Sequence, residues 1–165
     1  MKRKLFVFAV LFSVAVFRVH ADVCLDRYDR EIIASCMVLE AAGEGTEGMQ
    51  AVLNVILNRA KGDLSCLVPV VTKHGAFSCM SSIWCSDEPD YSPLLCRAQN
   101  QPESFADAMH LIAIMEQGLL LDITGGATHY HATYIHPYWA DSLRYLATIG
   151  NHSFYVERGR EVALL

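Results

Sequence analysis

The stretch Glu31 to Lys61, EIIASCMVLEAAGEGTEGMQAVLNVILNRAK, constrains the fold more than any other, because two apolar segments of helical period meet at a short acidic corner that contains glycine. In the first segment Ile33, Cys36, Met37 and Glu40 follow three- and four-residue steps, which puts a carboxylate at the end of an otherwise apolar stripe. Burial disfavours the ionised form of a carboxylic acid, and this is how such a group keeps a proton to donate near neutral pH. Ala41, Ala42 and Gly43 leave space beside Glu40, and Glu44, one helical turn on, offers a second carboxylate. The plain alternative for Glu40 is a surface residue at a helix end.

In the second segment Met49, Val52, Leu53, Ile56, Leu57 and Ala60 keep amphipathic spacing, widened by Ala51 and Val55, with Thr46 as the expected N-cap. Gln50, Asn54 and Asn58 recur every four residues along its polar edge, and read either as a solvated stripe or as a sugar-contacting row. From Asp63 to Gln101 the prolines predict loops, with a short helix near Leu67 to Lys73, and the insert around Trp84, Glu88 and Tyr91 reads as a surface loop. Pro102 opens a third helix that stops at Gly118, with His110 expected on or near its buried face.

After Gly125-Gly126 the run Ala127 to Tyr134 alternates with period two and predicts a strand. His129 and His131 then share one face, and Tyr130 and Tyr134 the other. A histidine pair on a strand can line a sugar groove. It can also bind a metal, with Glu40 or Glu44 and His136 or His152 completing the set for a metal-dependent amidase, although no HExxH motif accompanies it. The reading adopted assigns no metal and no cofactor. A last strand, Ser153 to Val156, is expected to add an edge, with Tyr138 and Trp139 packing at the turn.

At the N-terminus Lys2, Arg3 and Lys4 precede an apolar run from Leu5 to Phe17 and the small-residue pattern Val19-His20-Ala21, which reads as a secretory signal over residues 1–21. The apolar run is short for a membrane span, and no stable span is expected. Residues 22–165 form one expected domain. Removing Lys2, Arg3, Lys4 and Arg18 takes the formal charge from −5 to −9, and the remaining basic residues are scattered, so no nucleic-acid partner is expected. Six cysteines (Cys24, Cys36, Cys66, Cys79, Cys85 and Cys96) behind an export signal predict disulfides, in any of fifteen pairings. A thiol nucleophile with His131 as its base would need one of them unpaired.

The run Glu40-Ala41-Ala42-Gly43-Glu44, then Gly48, Gln50-Ala51-Val52 and Asn58-Arg59, resembles the opening motif of the SleB-type cell wall hydrolases, the family of the spore cortex-lytic enzymes. Gly75-Ala76-Phe77-Ser78, Gly125-Gly126-Ala127, Pro137 with Trp139, and Ile149-Gly150-Asn151-His152 follow in the same order. Ala42 stands where many members carry arginine. The resemblance implies an α+β, lysozyme-like domain that cuts peptidoglycan between N-acetylmuramic acid and N-acetylglucosamine. It implies Glu40 as general acid and base of a lytic transglycosylase, with Gln50, Phe77, Ser78, His129, Tyr130, His131 and His152 along the substrate. Two alternatives stay open: a hydrolytic muramidase that pairs Glu40 with Glu44, and a disulfide-stabilised secreted binding or inhibitor protein without turnover. Protein partners are not legible from the sequence.

Overall fold

The computed structural model describes residues 25–84 and 88–159; the expected export segment, Cys24 and Cys85 lie outside the described residues. Helix α1 (Arg27–Ala41) begins where the Asp26 carboxylate accepts the Asp29 N–H at 2.8 Å, satisfying a donor that the first turn leaves free. Its buried residues Ile32, Ile33, Cys36 and Met37 pack against α2 (Gly45–Arg59), α3 (Leu67–Thr72), α4 (Ser92–Gln99) and α5 (Pro102–Glu116). Between α1 and α2 a single 3₁₀ turn, Ala42–Glu44, is followed by Gly45 at φ +69°, a left-handed conformation that only glycine adopts cheaply.

Helix α2 is buried on two sides. Met49, Val52, Leu53 and Ile56 enter the helical core, while Ala51 and Val55 form a second apolar cluster with Ala127 and Phe154, and none of the six α2 side chains is more than 1% exposed. Thr46 does not cap it; the helix starts one residue earlier, and the Thr46 hydroxyl donates to Asp107 at 3.1 Å. The polar edge is a clamp rather than a solvated stripe. Gln50 Nε2 and Asn54 Nδ2 donate to the Leu121 carbonyl at 3.0 and 3.2 Å, and Asn54 Oδ1 accepts the Ile123 N–H at 3.1 Å. Asn58 donates to Asp122 at 2.9 Å and to the Ala127 carbonyl at 3.1 Å, and Arg59 Nε to the Thr128 carbonyl at 2.7 Å. Asp122 also accepts from the N–H and hydroxyl of Thr124 and from the Gly126 N–H.

That clamped segment leads into a three-stranded antiparallel sheet of β1 (His129–Ala132), β2 (Arg144–Ile149) and β3 (His152–Val156), in the order β1-β3-β2. The last strand is therefore central rather than an edge, because β2, which the sequence reading missed, pairs with it across Gly150-Asn151. Tyr134 lies beyond β1 and is largely exposed, as is Tyr138, whereas Trp139 packs against His129, His131 and Tyr155. Helix α4 falls inside the region expected to be loop, opened by Pro93 and holding Leu94 and Ala98 in the core. His110 is exposed; the buried face of α5 runs through Ala108, Leu111, Ile112 and Met115 instead.

Asn54→Ala removes the acceptor of the part-buried Ile123 N–H, while the Leu121 carbonyl keeps Gln50, so urea unfolding should show a loss of about 1–3 kcal/mol. Burial pushes Asp122 up, but the donors on Thr124, Asn58 and Gly126 outweigh it and hold the carboxyl below its usual 3.8. A depressed folded-state value means stability that is present above 3.8 and is lost as the pH falls through the lower, folded-state value. Asp122→Asn should flatten that acid limb in a pH series of unfolding curves.

Candidate active site

Glu40 is the penultimate residue of α1, half-buried at the rim of the helical core, and two other parts of the chain converge on its carboxylate. Oε1 accepts the Ser78 hydroxyl and the Cys79 main-chain N–H, each at 2.9 Å, from the 3₁₀ turn Ser78–Ile83. Oε2 accepts the Tyr130 hydroxyl from β1 at 2.9 Å. Burial, with the adjacent Glu40 carboxylate, pushes the Tyr130 phenol well above its usual 10, so at neutral pH it is a proton-bearing donor.

The ring of Tyr130 is boxed by Phe154 at 5.6 Å, Phe77 at 6.4 Å and the edge of His152 at 5.2 Å between centroids. Phe77 is buried, and the Arg59 guanidinium stacks 4.8 Å from its centroid while Arg59 Nη1 holds the Ala76 carbonyl at 3.1 Å. Of the residues the sequence singles out, the structure thus gathers Phe77, Ser78, Tyr130 and His152 around Glu40.

Glu44, in the same corner, faces a different partner. Its oxygens accept the Asn151 N–H at 2.9 Å and the Asn151 side-chain amide at 3.0 and 3.3 Å, tying the corner to the β2–β3 turn. The contact is close enough that a Cβ on Gly150, at φ +54°, would collide with the Glu44 carboxylate, and one on Gly48 would collide with Glu44 Cβ. The Asn151 backbone and then its side chain hold the Glu44 carboxyl below its usual value, so it is ionised. Gln50 is engaged by the Leu121 carbonyl.

His129 and His131 occupy the sheet face opposite Tyr130, as their alternation requires. His131 stacks on Tyr155, with Nε2 3.0 Å from the Tyr155 hydroxyl and Nδ1 2.9 Å from the Ala132 carbonyl. His129 sits 3.0 Å from the Thr128 hydroxyl, which donates to Glu157. Burial holds the His129 imidazole below its usual 6.5. Among the described residues no three His, Cys, Asp or Glu side chains gather in a way that could hold a metal ion. No described helix is long and apolar enough to cross a membrane.

In this structure none of the described cysteines, Cys36, Cys66, Cys79 and Cys96, is bonded to another, and Cys36 and Cys79 are in contact at 3.9 Å between sulfurs. Two contributors to the site escape residue-type reasoning. The Cys79 N–H is a main-chain donor that no side-chain pattern marks, and Asn151 enters only within the motif Ile149-Gly150-Asn151-His152, with no role assigned to it.

A family model described as Cell Wall Hydrolase matches residues 43–155, beginning just after Glu40. The solved catalytic domain of the germination-specific lytic transglycosylase SleB from Bacillus anthracis is similar over 80% of this chain and 97% of that one, at 22% identity and a TM-score of 0.54. The catalytic domain of the Bacillus cereus SleB protein is similar over 81% of this chain and 94% of that one, at 22% identity and a TM-score of 0.54. No curated protein matches the chain. The likeness to the solved domains confirms the lysozyme-like α+β fold. With the family model covering more than half of its length, the chain belongs to the cell wall hydrolase family.

Proposed function

We propose that this chain is an exported lytic transglycosylase that cleaves peptidoglycan between N-acetylmuramic acid and N-acetylglucosamine, with Glu40 as general acid and then general base. The observation that carries the reading is the division of labour between the two glutamates. Glu40 gathers the Ser78 and Tyr130 hydroxyls, which can accept as well as donate, and the Cys79 N–H from two walls of the site, while the hydrogen bonds of the Glu44 carboxylate go to Asn151 of the β2–β3 turn. The Bacillus anthracis structure, described as a lytic transglycosylase, supports the same reading.

Two donors fix Oε1, so Oε2 is the oxygen that exchanges the proton. The Tyr130 hydroxyl can rotate to accept from protonated Oε2 and turn back to donate once the proton has left. Glu40 protonates the glycosidic oxygen, the bond to C1 of muramic acid breaks, and the C1 cation is met by the 6-hydroxyl of the same sugar. Its proton returns to Glu40, and the product is a 1,6-anhydromuramic end. Neither water nor a second carboxylate takes part. Hydrolysis by the two-carboxylate route needs a second carboxyl facing the bond at about 5–9.5 Å from the first. Glu44 is bonded to the hairpin turn instead.

Membership of the cell wall hydrolase family supports an enzyme over a binding or inhibitor protein without turnover. Export is supported by the signal-like pattern at residues 1–21, and a periplasmic or extracellular location follows from where peptidoglycan lies.

Mass spectrometry of purified peptidoglycan digested with the protein should give muropeptides one water lighter than hydrolytic products; reducing muramic ends would replace this mechanism with the hydrolytic one. Glu44→Gln should keep activity within about tenfold, since an amide oxygen still accepts from Asn151. Tyr130→Phe and Ser78→Ala each remove one donor from Glu40. Each should lower kcat by about tenfold or more with little change in KM, measured as soluble muropeptide release.

A further inference from the structure

We propose that Cys36 and Cys79 are a modification site: they form a disulfide that staples the Ser78–Ile83 turn to α1, one helical turn from Glu40. The inference rests on the proposed function only in taking the chain to be exported to an oxidising compartment.

The two sulfurs lie 3.9 Å apart in the helical core, Cys36 fully buried and Cys79 8% exposed. A bond requires about 2.05 Å, so the two side chains must turn about their Cα–Cβ bonds to close the gap. The backbones are already in register, because the Cys79 N–H is held at 2.9 Å by Glu40 and Glu40 follows Cys36 on the same face of α1. The other described cysteines are placed elsewhere: Cys66 donates to Asp63 at 3.5 Å, and Cys96 is exposed on α4. Glycan cleavage uses oxygen groups, so the two touching thiols beside the acid take no part in it.

The oxidant is an external disulfide, glutathione disulfide or the cystine of an exported thiol oxidase. Cys79, the more accessible, attacks as thiolate and forms a mixed disulfide, releasing one thiol. Cys36 then loses its proton and attacks the Cys79 sulfur, releasing the second. Two protein S–H bonds and the reagent's S–S bond break; one protein S–S bond and two reagent S–H bonds form, and two electrons pass to the reagent. Burial, reinforced by Cys79, pushes the Cys36 thiol well above its usual value, so it reacts second. The closed loop contains the acidic corner, α2 and α3, and restricting it disfavours the unfolded chain.

The test is peptide mapping of the full chain refolded with glutathione disulfide, alkylated and digested with trypsin without reduction. The peptide Glu31–Arg59 should be joined to His74–Arg97, which also carries Cys85 and Cys96. The join should persist in Cys85→Ser and Cys96→Ser and vanish in Cys79→Ala. In the wild type, dithiothreitol should remove the join and lower the thermal midpoint by about 5–10 °C. Alkylation of Cys36 after oxidation, or a join that survives in Cys79→Ala, overturns the proposal. Because no glycan is involved, a protein that forms the link but cleaves nothing keeps this inference and removes the function, and the reverse result does the opposite.

Discussion

A helix buried on opposite sides must satisfy its polar side chains inside the protein, and α2 does so by gripping the segment from Leu121 to Thr128. Everything distal to that grip depends on it. The segment runs directly into β1, so the carbonyls held by Asn58 and Arg59 set where β1 begins, and hence where Tyr130 points. Arg59 serves both walls of the site. Its Nε holds Thr128 ahead of β1, while its Nη1 and guanidinium plane hold Ala76 and Phe77 ahead of the turn that carries Ser78 and Cys79. The donors that meet on Glu40 are thus positioned by the end of one helix.

The acidic corner shows how neighbouring residues of the same type acquire separate roles. Glu40 and Glu44 are four residues apart, but the helix ends between them, and the 3₁₀ turn swings Glu44 toward the β2–β3 turn. Small residues make this possible at both ends: Gly48 lets the Glu44 stem lie against α2, and Gly150 lets its carboxylate approach the turn backbone. The two glutamates bind the helical and β parts of the domain together from the same corner, Glu40 through Tyr130 and Glu44 through Asn151.

The helical half was the more legible in the sequence, because α1, α2 and α5 carry long apolar periodicities that survive every local irregularity. Its details were lost where a polar residue had two plausible partners. The Gln50, Asn54 and Asn58 row has the same spacing whether it faces water, sugar or a loop, and only the tertiary arrangement distinguishes them. Helix α4 is short and lies among prolines, so punctuation outweighed the Leu94 and Ala98 signal. The β2 strand lacks clean alternation and carries an irregularity between Tyr145 and Ala147, which hid its pairing and made the central strand look like an edge. In the site, Glu40 stood out by its place on an apolar stripe, yet its main-chain donor on Cys79 has no residue-type signature. The alternation of β1 correctly placed the histidines opposite Tyr130, and that same alternation separates them from Glu40.

The claim on which this account turns is that Glu40 moves the proton, and Glu40→Gln tests it most directly. The amide keeps the shape and can still accept from Ser78 and Cys79, but it has no acidic proton to give. Soluble muropeptide release should fall by roughly 10²-fold or more, while the folded variant still sediments with insoluble peptidoglycan. Undiminished release by a Glu40→Gln protein with an unchanged thermal midpoint would contradict the account.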